Sequence, residues 1–460
     1  MYLNSFLYAF LVIFVFQVSA SANESDEVIR LSLHEFLERG EEVSSLLDAE
    51  YQNVELAENR HTRARNQRFF PNLTLTTAHG YVPGLKSPEG RGSNELYLDP
   101  NLENDWENWG FFTQGEISGL QPLITWGGIS NAIDAARKGA EATRYEYDAG
   151  TAEYRLQLFE LYQSKLLAIE LQRLLEEARE TLEQAEDKLE ELRDEGDETF
   201  SEADMYKFRI FRQQFFTDEQ EVIQSLDFVE NAWELALKPD QNVSYQPEDD
   251  FLDPIDVVIE DLDYYRHLAS AERPELRGLD AAEQAAEFGV EATKAERYPS
   301  LILGFDARAA YTPARPRQSN PFIRNTTNYL SASFGIGFRQ NLNFRTTNLN
   351  VQRQEAQRRQ VEYQREAAED GIHLELSEVY RDVQIARSRV ENTRQAVTIS
   401  NEWLREEQID YDLGFGDMEN LVDAVRENLE LEVEYRQSVH RYNLKLAQLY
   451  RKAGIPLSEL

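Results

Sequence analysis

The clearest pattern along the chain is a four-three alternation of apolar positions. Ile372, Leu376, Val379, Val383, Ala386, Val390, Thr393, Val397, Ser400 and Leu404 keep it, the seven-residue repeat of a coiled-coil seam. The pattern breaks over 411–417 and resumes at Leu421, Val425, Leu429 and Val433. This predicts a helical hairpin over about 345–450, turning at Gly414 and Gly416. An earlier seam, Leu171, Leu175, Ala178, Leu182, Ala185, Leu189 and Leu192, lies in a predicted helix at 129–193. It breaks at Gly196, and a return helix is predicted over 201–237.

Between these hairpins the period changes from three and four to two. Residues 72–81 put Leu73, Leu75, Thr77, His79 and Tyr81 on one side, and 111–120 form a weaker strand. Pro122 is expected to end its ladder, and Trp126, Gly127 and Gly128 to turn the chain. Residues 300–311 alternate Leu301, Leu303, Phe305, Ala307, Ala309 and Tyr311 against Ser300, Gly304, Asp306 and Arg308. Residues 329–343 set Leu330, Ala332, Phe334, Ile336 and Phe338 against Ser331, Ser333, Gly335, Gly337 and Arg339. Helices are predicted at 31–65, stopped by Pro71, at 255–268 and at 274–296. The stretch 82–110, with Trp106 and Trp109, reads as a loop.

The order helix, strand, loop, strand, long helix, return helix therefore occurs twice. The fold class expected is mostly α with a small β part: a first repeat over 23–237, an acidic linker over 238–265 and a second repeat over 266–460. Strands with one apolar and one small or polar face need closure if they sit in lipid, because an open edge leaves N–H and C=O groups unpaired in hydrocarbon. A closed membrane barrel takes about eight strands at least, so a chain with four must share its barrel with other copies. The polar face would line water.

Composition narrows the setting. A net charge of -37 argues against nucleic acid as a partner. The chain has no Cys, which excludes disulfides, thiolate metal sites and a lipidated N-terminal cysteine. Residues 1–22 read as a signal peptide, with an apolar core over 6–18 and small residues Ala20 and Ala22 at candidate cleavage sites, an uncleaved membrane anchor being the alternative. No later segment reaches the roughly 18 apolar residues of a spanning helix. His34, His61, His79, His267, His373 and His440 show no metal-ligand spacing, and no phosphate-binding glycine loop is present. Neither an enzyme nor a cofactor is expected.

Several motifs, in order and twice over, resemble the TolC-type outer-membrane efflux family. They are Arg68-Phe69-Phe70-Pro71-Asn72-Leu73, Gln121-Pro122-Leu123-Ile124 with Gly127-Gly128, Arg273-Pro274-Glu275-Leu276, Tyr411-Asp412-Leu413-Gly414 and Leu421-Val422-Asp423-Ala424. The resemblance implies a homotrimer with a twelve-stranded β-barrel in the outer membrane and a twelve-helix α-barrel in the periplasm. It implies a passive exit duct, docked by a periplasmic adaptor and an inner-membrane pump. A soluble periplasmic coiled-coil scaffold or adaptor is the alternative for the same hairpins.

Acid is dense beside both glycine breaks: fourteen Asp or Glu against three Lys or Arg over 176–204, twelve against two over 402–434. The resemblance implies a periplasmic mouth narrowed by acidic rings there. Asp423 takes one ring position, Asn420 stands where the family has a second Asp, and Glu419 and Glu202 are further candidates. Tyr411 matches the family's gating Tyr, but Gly416 replaces its Arg partner. Gly196, Gly414 and Gly416 mark the tips where an adaptor would engage. Phe69, Phe70, Tyr81, Trp126, Tyr298, Tyr311, Tyr329 and Phe344 are candidates for interfacial girdles, with core packing the competing expectation for Trp126 and Phe344.

Overall fold

The computed structural model describes residues 27–86, 103–195, 201–240, 242–315, 327–413, 416 and 418–460. The expected signal peptide, Gly196 and Gly414 lie outside them. The elements are β1 (Glu27–Leu31), α1 (Leu33–Glu42), α2 (Ser45–Phe69), β2 (Asn72–Leu85), β3 (Asn104–Ile124), α3 (Gly128–Glu195) and α4 (Glu202–Leu237). They recur as β4 (Val243–Pro247), α5 (Leu262–Glu272), α6 (Pro274–Ala295), β5 (Ser300–Tyr311), β6 (Tyr329–Arg339), α7 (Phe344–Asp412) and α8 (Met418–Ala453). Matched helices agree in length: α3 has 68 residues and α7 69, while α4 and α8 have 36 each.

Several expectations need correction. The helix expected over 31–65 is two helices. The Ser44 hydroxyl accepts from the Leu47 N–H at 3.3 Å and starts α2 afresh, while Ser32 and Glu35 form a capping box on α1. The acidic stretch after Leu237 holds β4, which pairs in parallel with β1, and the next helix begins at Leu262, capped by Asp261. The strands run past the expected loop ends, to Leu85 and from Asn104, so Trp106 and Trp109 stand in β3. Pro122 does not end the ladder: it lies opposite Ile302, and the register slips between Pro122 and Ile124. A missing N–H is absorbed by that irregularity. At the far side, β6 ends at Arg339, and the Asn343 N–H donates to Asn341 Oδ1 at 3.0 Å before α7 begins.

The described chain forms two compact units. The first takes Leu158–Asp253, Thr393–His440 and the segment ending at Val43. In it, the α3 seam residues Leu175, Leu182 and Leu189 pack with Met205, Phe208, Phe211 and Phe215 of α4. Tyr411, Leu421, Val422, Val425 and Leu429 lie against them. Burying each such Leu or Phe contributes about 1.5–3 kcal/mol. A second apolar centre stacks Phe36 on Trp233, with ring centroids 4.1 Å apart, beside Tyr162. The Tyr162 hydroxyl donates to Asp249 at 2.7 Å, and burial followed by that carboxylate raises its pKa.

The second unit takes Ser44–Gln157, Pro254–Asn392 and Arg441–Leu460. It carries the remaining sheet, and on α7 the seam residues Ile372, Leu376, Val383, Ala386 and Val390 are all buried.

Candidate functional site: a two-faced sheet and a paired acidic tip

The sheet has the order β2-β3-β5-β6, every neighbour antiparallel. Register puts Leu73, Gly119, Phe305 and Phe334 in one row, and Leu75, Ile117, Ala307 and Ala332 in the next. Leu330, Ile336 and Phe338 extend the same face. It is open to the outside: Leu330 is 85% exposed and Phe334 87%. The Phe305 ring lies over Gly119, where a Cβ would collide with it. The opposite face carries Thr74, Ser118, Asp306 and Ser333 in one row and Thr76, Glu116, Arg308 and Ser331 in another. Arg308 bridges Glu116 at 3.1 Å and Asp306 at 3.0 Å. Arg308 and Asp306 were legible as polar-face residues; Glu116, in the weaker strand, was not singled out. Among the described residues, β2 and β6 have no strand on their outer sides.

Aromatic side chains gather at both ends of this sheet. Tyr81 pairs with Phe111 across β2 and β3, and Tyr311 and Tyr329 stand at the same end. At the helix end lie Phe69, Phe70, Trp126, Tyr298 and Phe344. Trp126 is 58% exposed and Phe344 49%, so neither is core. The Trp126 indole N–H donates to the Pro299 carbonyl at 2.8 Å, and Trp126 and Gly127 take the left-handed backbone, at φ 52° and 89°, that turns the chain.

The candidate tip residues belong to the other unit. Glu419 opens α8 and pairs with Lys207 of α4 at 2.5 Å. Asp423 pairs with Arg426 one turn on, at 2.9 Å. Both acids, with Lys207, Ile210, Phe211 and Arg426, line a cavity of about 160 Å³. Tyr411 is half-buried against the α3–α4 cluster. Asn420 is exposed, and Glu202 is exposed at the first position of α4. The structure thus brings Glu419 and Asp423 together and gives each a cation that sequence reasoning did not identify. Lys207 lies far off in sequence and carries no local signal; Arg426, at i+3 from Asp423, was readable as a helical pair. Gly416 donates its N–H to the Asp410 carbonyl at 2.9 Å. A Cβ there would stand 2.6 Å from the Tyr411 nitrogen, so the Arg expected by resemblance has no room.

Residues 266–454 match the family described as outer membrane efflux protein. That match covers the second repeat of the chain. No curated protein matches the chain. Among solved structures, the outer-membrane channel OprN shares the fold at a TM-score of 0.72 and 16% identity, over 95% of this chain and 96% of that one. The open state of the Neisseria gonorrhoeae MtrE outer membrane channel gives 0.72 and 16%, over 92% and 89%. The Campylobacter jejuni CmeC outer membrane channel gives 0.70 and 13%, over 92% and 85%. At such identities the likeness is one of fold, and it extends over both repeats.

Within the matched segment, the structure gives one motif a purely architectural meaning. Arg273 is buried between α5 and α6 and binds Glu275 at 3.0 Å, and Glu275 also accepts from Arg451 of α8 at 2.9 Å. Arg451 further donates to the Ala149 carbonyl of α3. Burial pushes the Glu275 carboxyl up, but the hydrogen bond from Arg273 and the charges of Arg451 and Arg273 outweigh it and hold the pKa at about 2. This cluster ties four helices of one unit together.

Proposed function

We propose that the protein is one protomer of a homotrimeric outer-membrane channel, a passive exit duct. Three four-stranded sheets would close a twelve-stranded barrel in the outer membrane, and twelve helices would form the periplasmic tube. The carrying observation is the sheet: one face apolar and open, the other polar, both edges unpaired among the described residues. Its strands alternate in direction from β2 to β6, so β6 of one copy can meet β2 of the next in antiparallel register. The match of residues 266–454 to the outer membrane efflux protein family supports the location. A soluble scaffold would leave Phe334 and Leu330 in water without a partner.

The tip residues Tyr411, Glu419, Asn420, Asp423 and Glu202 would then line the periplasmic mouth. Gly196, Gly414 and Gly416 would mark the turns engaged by a periplasmic adaptor, itself coupled to an inner-membrane pump that supplies the energy. The test is membrane fractionation followed by mass measurement in mild detergent: outer-membrane extraction and a trimer are expected. A monomer in the soluble periplasmic fraction would sink the reading.

A further inference from the structure

Two long stretches of this acidic chain carry no acid. The chain has 84 acidic residues in 460, yet none stands between Glu58 and Glu89, and none between Asp306 and Glu355. Each gap spans a strand and the junction where that strand meets a helix. The apolar strand face accounts for missing charge inside the sheet. It does not account for the basic residues kept at the junctions.

Three of the four strand–helix junctions set an exposed arginine beside an exposed aromatic: Arg68 and Phe69 ending α2, Arg297 and Tyr298 before β5, Phe344 and Arg345 opening α7. The fourth carries Trp126, whose ring lies 6.1 Å from Tyr298. Pairing of Asn72 with Leu120, Ile124 with Leu301 and Ser300 with Arg339 puts all four junctions at the same end of the sheet. Among the described residues, none of the three arginines has a carboxylate within ion-pair distance. Arg68 lies over the Phe69 ring at 5.8 Å. Arg345 sits in the first turn of α7, which holds no acid. A cation there opposes the positive end of the helix dipole, so an external anion would relieve both.

We propose that Arg68, Arg297 and Arg345 bind the phosphate headgroups of an anionic phospholipid leaflet, the one that meets the helix end of the sheet. The inference rests on the outer-membrane reading above. The adjoining rings continue the apolar face into the interfacial layer: Phe69 is 63% exposed, Phe70 67% and Tyr298 57%. From that level an arginine stem lies along apolar surface while its fork reaches a phosphate. This continuity with the lipid-facing side selects a headgroup over free phosphate.

The test uses the full chain in mild detergent, exposed to equal amounts of phosphatidylglycerol and phosphatidylcholine with identical acyl chains, with retained lipid counted by native mass spectrometry. The wild type retains phosphatidylglycerol preferentially. The R68Q/R297Q/R345Q variant loses about fivefold of that preference per arginine removed and still conducts in planar bilayers, while R68K/R297K/R345K keeps most of it. Inorganic phosphate at equal concentration does not displace the lipid. Equal retention of both lipids by the wild type overturns the proposal whether or not the variants fold. So does displacement by inorganic phosphate, or a Gln variant that keeps the lipid preference and changes only ion selectivity. A wild type that neither fractionates with outer membranes nor conducts would instead defeat the channel reading.

Discussion

At the scale of single residues, the Glu275 carboxylate makes a pH-dependent contribution. Its folded pKa is about 2 against an ordinary value of 4.5. Its stabilisation is therefore complete above pH 4.5 and is lost as the pH falls through 2. A shift of that size corresponds to about 3 kcal/mol. Glu275→Gln should lower the melting temperature at pH 7, and the deficit should narrow as the pH is taken below 4.5; a deficit constant with pH would refute the account. At the tip, Asp423 is matched by Arg426, so the pair presents a dipole more than a charge. Under the channel reading, Arg426→Ala should raise cation selectivity in single-channel recordings and Asp423→Ala should lower it. Neither substitution should cost more than about 1 kcal/mol, because both side chains are more than two-fifths exposed. Asp423 itself was readable from motif order. Its partner Arg426 needed only helical spacing, but Lys207 became visible only when α4 was laid beside α8.

At the scale of elements, what was legible depended on how much of the pattern each element carries within itself. The long helices were bounded closely because a seam repeated over many turns leaves little freedom of register. Ser300–Tyr311 was read to the residue because period-two alternation persists along it. The five-residue strands β1 and β4 carry no such signal. They exist because each pairs with the other across the whole first repeat, which no local window contains. The break at Ser44 was hidden because apolar spacing continues across it, and only the serine cap marks the restart. A core prediction belongs here. Phe208 is fully buried between α3 and α4, so Phe208→Ala should cost about 3–5 kcal/mol, read as a lowered melting temperature and earlier proteolysis of the hairpin. An element of the opposite kind is β6, whose apolar side chains are exposed. Phe334→Glu should leave the helices folded by circular dichroism yet block membrane assembly. Normal assembly of that variant would mean β6 does not face lipid.

At the scale of the whole molecule, the duplication explains why the sheet has four strands among the described residues. Each repeat contributes one hairpin, β2-β3 or β5-β6, and the two join through β3 and β5. The product has an edge of first-repeat origin, β2, and an edge of second-repeat origin, β6. Two different edges would make a head-to-tail contact, which closes into a ring where the rotation between copies allows it and otherwise runs on as a filament. Four strands cannot curl into a membrane barrel alone, since about eight are the minimum, so under the channel reading β2 would seek β6 of another copy. The absence of cysteine makes this directly measurable. One cysteine placed on β2, at Thr74, Thr76 or Ala78, and one on β6, at Ser331 or Ser333, would share the polar face. Oxidation in the membrane should yield linked dimers and trimers, with a ladder that ends at three copies and a closed trimeric species among them. Cysteines at Gln114 and Ala310, which face each other across β3 and β5, should instead link within one chain and leave the mass unchanged. If the β2–β6 pairs also linked only within one chain, the sheet would be sealing its own edges. Shared closure, and with it the duct, would then be wrong.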